Sequence, residues 1–235
     1  MADYKSILFE QMIKDFAENE VKPLAQEVDE TEIFPRGTVE KMAKNGFLGI
    51  PVPKEYGGQG CDPLTYAMCV EELSKVCGTT GVIVSAHTSL CVDPILTYGT
   101  EEQKQKYLVP LAKGEKLGAF GLTEPGAGTD AQGMQTKAVL DEATNEWVLN
   151  GSKCFITNGK EADVYIIFAI TDIVEDKKGR KNYNASCNHL FAYIQCPSTL
   201  LRCLPILIHV HISLRHFIIH RGSFQMLRSQ NLFVN

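Results

Sequence analysis

The chain has 235 residues, of which 44% are hydrophobic and 22% charged, and its formal net charge is −5. This composition excludes a disordered chain, since enough apolar residues are present for a core, and excludes a collagen-like one, since glycine and proline recur without period. A mildly acidic chain gives no electrostatic reason to expect nucleic acid as a partner. No apolar signal segment or membrane-length apolar run is present, so we expect a cytoplasmic protein. The eight cysteines include no C-x-x-C pair, which favours reduced thiols over a metal site.

Residues 1–115 have the apolar periodicity of an all-α unit. Pro23 interrupts the first helical pattern and predicts a kink or a new start, and Asp62 followed by Pro63 predicts a capped helix start. Residues 78–98 include a single charged side chain, Asp93, so we expect this helix to be buried on nearly all sides. The predicted helices span residues 7–30, 38–44, 62–75, 78–98 and 100–111.

The pattern changes after Gly118 to short strands separated by turn residues. Strands are predicted at 136–140 and 147–150, which flank the polar turn 141–146 as a β-hairpin does, and at 153–157 and 164–170. Four such strands are typical of the start of a β-barrel or sandwich. The predicted fold class is therefore α+β. Its predicted domains are a helical N-terminal domain (1–115), the first part of a β-barrel domain (116–176) and an atypical segment (177–235).

The last segment differs sharply in charge from the rest of the chain. Residues 177–235 contain 8 basic residues and no Asp or Glu, whereas residues 1–176 contain all 28 acidic residues. One interpretation is a frameshift or gene-model error that replaced the genuine continuation. The other is a real accessory segment, in which His216 and His220 would share a helix face suited to zinc, or residues 203–214 would lie on an anionic membrane. Incidental histidines are commoner than metal ligands, so we expect no metal and no membrane partner.

Two segments contain the chemistry of a ligand site. The segment 120–130, FGLTEPGAGTD, combines glycines that allow close backbone approach with the hydroxyls of Thr123 and Thr129, which suits a phosphate or a flavin edge. A tight turn is the plainer interpretation. The segment 120–130 matches neither the dinucleotide-binding nor the P-loop glycine pattern. The segment 147–159, WVLNGSKCFITNG, is by itself also compatible with an ordinary hairpin.

Taken together, these segments resemble the acyl-CoA dehydrogenase family, most closely its short-chain, butyryl-CoA-type bacterial members. The resemblance runs over residues 1–176 and includes further motifs at 16–23, 49–58, 70–74 and 99–107. It implies a flavoprotein oxidoreductase of fatty acid metabolism that binds FAD between a middle β-domain and a C-terminal helical bundle. The cofactor-binding residues implied by the matching motifs are Phe120, Leu122, Thr123, Gly128, Thr129, Phe155, Ile156 and Thr157, and Thr129 is also implied in substrate binding.

The family reaction removes the α-proton of an acyl-CoA thioester with a Glu base while the β-hydrogen leaves as hydride to the flavin. Hydrogen bonds to the thioester carbonyl stabilise the enolate-like charge, and the electrons pass to electron-transfer flavoprotein. Family members are homo-oligomers through the C-terminal bundle. Because we find no family motif after residue 176, we expect this chain to lack the bundle, the base and that oligomer contact, and to be inactive alone. Glu124 is expected to have a structural role in its loop, so no catalytic residue is assigned. The alternative is a non-catalytic module that binds a partner.

Overall fold

The structure is a computed structural model that describes residues 4–143 and 146–171 and the backbone of the strand segments 174–175, 181–182, 192–193 and 212–220. Contacts divide the chain into two units, Met1–Gly118 and Ala119–Asn235, which we call the helical unit and the strand unit. The elements of the first are helices and those of the second are mainly strands. The predicted α+β class is therefore confirmed.

The helical unit contains eight α-helices among its described residues. They are α1 Tyr4–Phe16, α2 Ala25–Thr31, α3 Arg36–Lys44, α4 Pro63–Val76, α5 Gly78–Ser85, α6 Asp93–Tyr98, α7 Glu101–Gln103 and α8 Val109–Ala112. Wider π-helical turns at Ala17–Val21, Ala86–Val92 and Lys104–Leu108 join several of these helices into longer runs. Within the described residues, no helix is long and apolar enough to cross a membrane.

Two local predictions about helix ends are confirmed. The first helical run changes to a 3-10 turn at Lys22–Leu24, which contains Pro23, before α2 begins. Proline lacks the N–H that an α-helical hydrogen bond requires, which explains the change. At the start of α4, the Asp62 carboxylate accepts the N–H of Thr65 at 2.7 Å, and this hydrogen bond holds the pKa of Asp62 below its ordinary value.

The expectation that residues 78–98 are buried on nearly all sides is wrong. One face of this run is buried and includes Val84, His87 and Ile95, whereas Val82 is 51% and Leu90 is 40% exposed. The sequence is apolar around the whole helix, so its periodicity does not distinguish the covered face from the open one. Only the packing of neighbouring helices makes that distinction.

The core of the helical unit is centred on Phe47, which is fully buried. Its ring meets those of Phe9 and Phe16 edge-to-face, with centroids 5.8 and 5.1 Å apart. Such pairs stabilise by about 0.5–1.5 kcal/mol beyond the area they bury. The apolar face of α1 thus packs onto a 3-10 turn, Phe47–Gly49.

Eight strands in three small sheets are described, and all lie in the strand unit except for Gly118, the first residue of β1, which belongs to the helical unit. The strands are β1 Gly118–Gly121, β2 Lys137–Asp141, β3 Glu146–Lys153, β4 Val164–Ile167, β5 Val174–Glu175, β6 Lys181–Asn182, β7 Ala192–Tyr193 and β8 Ile212–His220. The sheet orders are β1-β4-β7, β2-β3-β8 and β5-β6. The predicted hairpin is confirmed, with β2 and β3 antiparallel from Lys137 opposite Asn150 to Asp141 opposite Glu146.

In this unit one predicted strand is wrong, one strand is missed, and one alternative interpretation is contradicted. No strand spans 153–157, because β3 ends at Lys153 and Phe155 adopts a φ of 56°, which a strand does not allow. The glycine-flanked β1 was not predicted as a strand. The helix face proposed for His216 and His220 does not exist, since both lie in β8, which pairs antiparallel with β3. Most of the apolar run 203–214 lies outside the described residues.

Candidate functional site

The two segments singled out in the sequence lie side by side in the strand unit. The backbone N–H of Cys154 donates to the carbonyl of Thr123 at 2.9 Å, which joins the second segment to the first. On the other side, the N–H of Phe168 donates to the carbonyl of Gly121 at 3.0 Å. The start of the 120–130 segment is therefore held between β4 and the chain that follows β3.

A tight turn opens the glycine-rich loop. Glu124 and Ala127 exchange backbone hydrogen bonds of 3.0 and 3.1 Å around Pro125 and Gly126. Neither Gly126 nor Gly128 has a φ in the left-handed range, and a Cβ on either would meet no atom of the described structure within 4 Å. The turn itself therefore does not require glycine at these positions. The open backbone is what a ligand that approaches closely would use.

Phe155 combines backbone strain with exposure. Its φ of 56° is left-handed, which costs a non-glycine residue about 1–2 kcal/mol, and its side chain is 60% exposed. The turn after it is fixed by two hydrogen bonds: the N–H of Gly159 donates to the carbonyl of Ile156 at 2.9 Å, and the Tyr165 hydroxyl donates to the carbonyl of Gly159 at 2.5 Å. Strain of this kind is concentrated at functional sites.

The other predicted cofactor-binding residues differ in the exposure of their side chains. Phe120 is half-buried and packs edge-to-face on Phe168, with centroids 5.2 Å apart. Thr129 is exposed, and Leu122, Thr123 and Thr157 are half-buried. Ile156 instead lies in the core of the strand unit with 7% exposure. Its side chain packs inward, so its backbone is the part that borders the site.

Sequence analysis missed Phe168 and, more importantly, Lys153. The Lys153 side chain is fully buried, and its ammonium donates to the Glu124 carboxylate and to the Leu122 carbonyl, each at 2.8 Å. The alternation of side chains along β3 would have identified Lys153. Lys153 lies on the same face of the strand as the buried Leu149, and a charge on an apolar face requires a buried partner.

Lys153 and two backbone N–H groups donate to the Glu124 carboxylate, and the Ala127 N–H donates to its backbone carbonyl. The two backbone N–H groups are those of Gln135, at 2.6 Å, and of Thr136, at 3.0 Å. Burial by itself would raise the pKa of Glu124, but the hydrogen bonds from Lys153 and from these backbone groups lower it below its ordinary value. Burial lowers the pKa of Lys153, and the Glu124 carboxylate opposes that shift. Glu124 is thus a structural carboxylate, as the sequence analysis expects, and not an accessible base.

The surface around the glycine-rich loop offers groups suited to an organic ligand. It offers threonine hydroxyls, aromatic rings and open backbone, and the residues that the structure describes include no group of three His, Cys, Asp or Glu side chains able to hold a metal ion. Aromatic faces beside hydroxyls and an open glycine backbone fit a ligand with both a flat ring and phosphates.

Comparison with known proteins assigns both units. Residues 5–115 match the family model described as acyl-CoA dehydrogenase, N-terminal domain, and residues 119–187 match acyl-CoA dehydrogenase, middle domain. A curated relative, the short-chain specific acyl-CoA dehydrogenase of Clostridium acetobutylicum, is 64% identical over 172 residues, which are 73% of this chain and 45% of the relative.

Two solved structures are similar to the same part of the chain. Butyryl-CoA dehydrogenase from Megasphaera elsdenii has a TM-score of 0.70 at 43% identity, covering 76% of this chain and 46% of that one. An acyl-CoA dehydrogenase from Bacillus anthracis complexed with FAD has a TM-score of 0.68 at 39% identity, covering 73% and 29%. The chain thus spans less than half the length of these proteins.

Proposed function

Because the chain belongs to the acyl-CoA dehydrogenase family, we propose that its strand unit forms one wall of a site for FAD and for the thioester of a short-chain acyl-CoA. The observation that supports this best is the pairing of the two segments, in which the open glycine backbone and the strained, exposed Phe155 lie on chains joined by the Thr123–Cys154 hydrogen bond. The turn does not require glycine at Gly126 or Gly128, and the Phe155 side chain is 60% exposed.

The residues present fit FAD. The rings of Phe120 and Phe155 offer flat apolar surface, and the hydroxyls of Thr123, Thr129 and Thr157 offer hydrogen bonds for the polar edge and the phosphates. Gly128 leaves its backbone open beside Thr129. When bound, FAD supplies the acceptor for the hydride that leaves the substrate β-carbon. The tasks of this chain are to bind and orient the ring and to exclude water from one side of it.

We infer that these 235 residues do not complete a turnover by themselves. Proton removal from the α-carbon requires an accessible carboxylate, and Glu124 is committed to Lys153 and two backbone N–H groups. Residues 177–235 contain no Asp or Glu. The proposed substrate is a short-chain acyl-CoA, which similarity to the bacterial short-chain specific enzyme supports. The proposed electron acceptor is electron-transfer flavoprotein, as the family resemblance implies, and the proposed location is the cytoplasm.

Titration of FAD into the purified chain, followed by quenching of flavin fluorescence, tests the proposal. We expect saturable binding by the wild-type chain and a loss of about tenfold or more for Gly128→Val, because a side chain there would enter the space proposed for the ligand, while its Cβ meets no atom of the described structure within 4 Å. Gly37→Val is the matched control, since a Cβ at Gly37 also meets no atom within 4 Å but lies in the helical unit.

Failure of the wild-type chain to bind FAD would contradict the proposal, as would equal binding by the Gly128 and Gly37 variants. Reduction of a dye by butyryl-CoA at a steady rate would contradict the inferred lack of turnover.

A second function, binding of a longer protein of the same family, is favoured by the exposed apolar side chains of the helical unit. Leu64, Val82 and Leu90 are 65%, 51% and 40% exposed. Exposed apolar side chains mark an interaction surface when they form one contiguous patch, and this function requires that of these three. Co-purification with a full-length acyl-CoA dehydrogenase, lost in Val82→Lys, would support this function; a monodisperse chain with no such partner would contradict it.

A further inference from the structure

A buried ion pair joins the two segments of the proposed site, and we propose that Lys153 and Glu124 are positioning residues that set the separation between segments 120–129 and 153–157. This inference rests on the proposed FAD site. Neither residue is exposed enough to meet the ligand, since Lys153 is fully buried and Glu124 is 6% exposed. Both act through their neighbours in sequence.

Lys153 fixes the first segment from the side of β3. Its ammonium donates to the carbonyl of Leu122 and to the carboxylate of Glu124, each at 2.8 Å. These residues flank Thr123, whose own carbonyl accepts the N–H of Cys154 at 2.9 Å. Three hydrogen bonds from two consecutive residues therefore hold Thr123 in place, and Phe155 follows directly.

Glu124 fixes the other end of the glycine-rich loop. Its carboxylate accepts the N–H of Gln135 at 2.6 Å and of Thr136 at 3.0 Å. The exposed residues Gly128 and Thr129 lie between these two anchor points. The ion pair therefore closes the base of the loop as well as linking it to the second segment.

Stability by itself does not explain a charged pair at this location. Desolvation opposes burial of two charges, and well-packed apolar side chains of similar volume are often equally stabilising. What apolar packing does not provide is direction: charge-assisted hydrogen bonds hold defined atoms at defined distances. A site that must align Thr123 with Phe155 uses that directional constraint, because small misplacements weaken ligand interactions strongly.

The test compares Lys153→Met with Leu149→Ala in the full chain. Methionine keeps most of the volume of lysine and removes its charge and donors. Leu149 is a fully buried residue of the same strand, so its truncation destabilises the same unit without touching the ion pair. FAD affinity, the visible spectrum of added FAD, thermal midpoint and amide hydrogen exchange are measured for each.

We expect Lys153→Met to weaken FAD binding about tenfold or more relative to Leu149→Ala, and to lose the spectral shift of bound flavin. Amide exchange should accelerate at Gln135, Thr136 and Cys154 in the Lys153 variant, and broadly over the strand unit in the Leu149 variant. Should Lys153→Met fail to fold, Glu124→Gln replaces it. Glutamine keeps the size and one acceptor oxygen, and we expect a smaller loss of affinity with the same local exchange pattern.

Equal FAD binding by the wild-type and Lys153→Met chains, or by wild type and Glu124→Gln where the first does not fold, overturns the positioning role. So does an equal loss in Leu149→Ala, since that would mean general destabilisation. Absence of FAD binding by the wild-type chain is a distinct result, because it overturns the proposed function before any variant is compared.

Discussion

The two units bury polar side chains in different ways. In the helical unit the buried ionisable side chain His87 is held neutral: its Nδ1 accepts the N–H of Gly118 at 3.0 Å, and burial lowers its pKa to about 4, against the opposing effect of the Leu48 and Leu111 backbones. In the strand unit the buried pair, Lys153 and Glu124, is charged and adjoins the candidate site. The comparison shows that burial keeps His87 neutral, whereas the salt bridge with Lys153 and two backbone N–H groups keep the buried Glu124 charged.

Removal of one partner of the charged pair should have the largest effect on stability. Lys153→Met leaves the Glu124 carboxylate buried without its ammonium partner, and we expect a loss of about 3–5 kcal/mol in the free energy of unfolding of the strand unit. Urea unfolding measures it. Lys22→Met is the control, because the Lys22–Glu18 pair is exposed and its removal should cost less than about 1 kcal/mol. Equal costs for the two variants would remove the distinction between the buried and surface pairs.

The neutral histidine should make the helical unit sensitive to mild acid. Because the pKa of His87 falls from 6.5 to about 4 on folding, the unfolded chain binds the proton more tightly, and stability is lost as the pH falls from 6.5 towards 4. The loss should reach about 3 kcal/mol at pH 4. Urea unfolding of the wild-type chain and His87→Gln at several pH values measures it. A variant with the same pH slope as the wild type would show that His87 is not the group responsible.

The charged pair responds to pH in a different range. The pKa of Glu124 is below its ordinary value of 4.5 in the fold, so its contribution is present above that value and is lost as the pH falls further. The strand unit should therefore keep its stability over the range in which His87 weakens the helical unit. Separate probes for the two units, such as Trp147 fluorescence for the strand unit, distinguish the transitions.

A smaller effect is expected at the start of α4. Asp62→Ala removes the carboxylate that accepts the Thr65 N–H, and helix caps of this kind contribute about 1 kcal/mol. Asp62→Asn keeps an acceptor oxygen and should lose only a fraction of that. Thermal midpoints measured by circular dichroism would show the difference. A midpoint unchanged in Asp62→Ala would mean that water replaces the cap fully.

Substitution of Phe155 should have the smallest effect on stability and a large effect on FAD binding. Phe155→Gly relieves the left-handed φ, so we expect no loss and a gain of up to about 1 kcal/mol, offset by the entropy of glycine in the unfolded chain. FAD binding should weaken, because the exposed ring is lost. Val139→Ala is the control, because Val139 is another exposed apolar side chain of the strand unit, with 62% exposure. Weaker folding with intact binding in Phe155→Gly would contradict a site role for Phe155.

The parts of the fold that were predicted correctly depend on short stretches of sequence. Asp62 and Pro63 define the start of a helix, and the Asp62 cap reaches a residue only three positions away. Pro23 defines a break in the helical run because its ring leaves no backbone N–H. The hairpin of β2 and β3 follows from alternation on both sides of a polar turn. The errors arose where the outcome depended on contacts that sequence patterns do not contain, as for the open face of residues 78–98 and the end of β3.

The sequence by itself determined the α+β class, the resemblance to acyl-CoA dehydrogenases and the two segments that border the candidate site. Local periodicity, helix caps and ordered motifs are properties of neighbouring residues, so they can be recognised from the sequence. Tertiary structure alone decided that Lys153 meets Glu124, 29 residues away in sequence, and that Phe155 leaves the strand with a left-handed φ. Pairing of distant groups depends on how the chain closes in space, and only the packed fold brings those atoms within hydrogen-bonding distance.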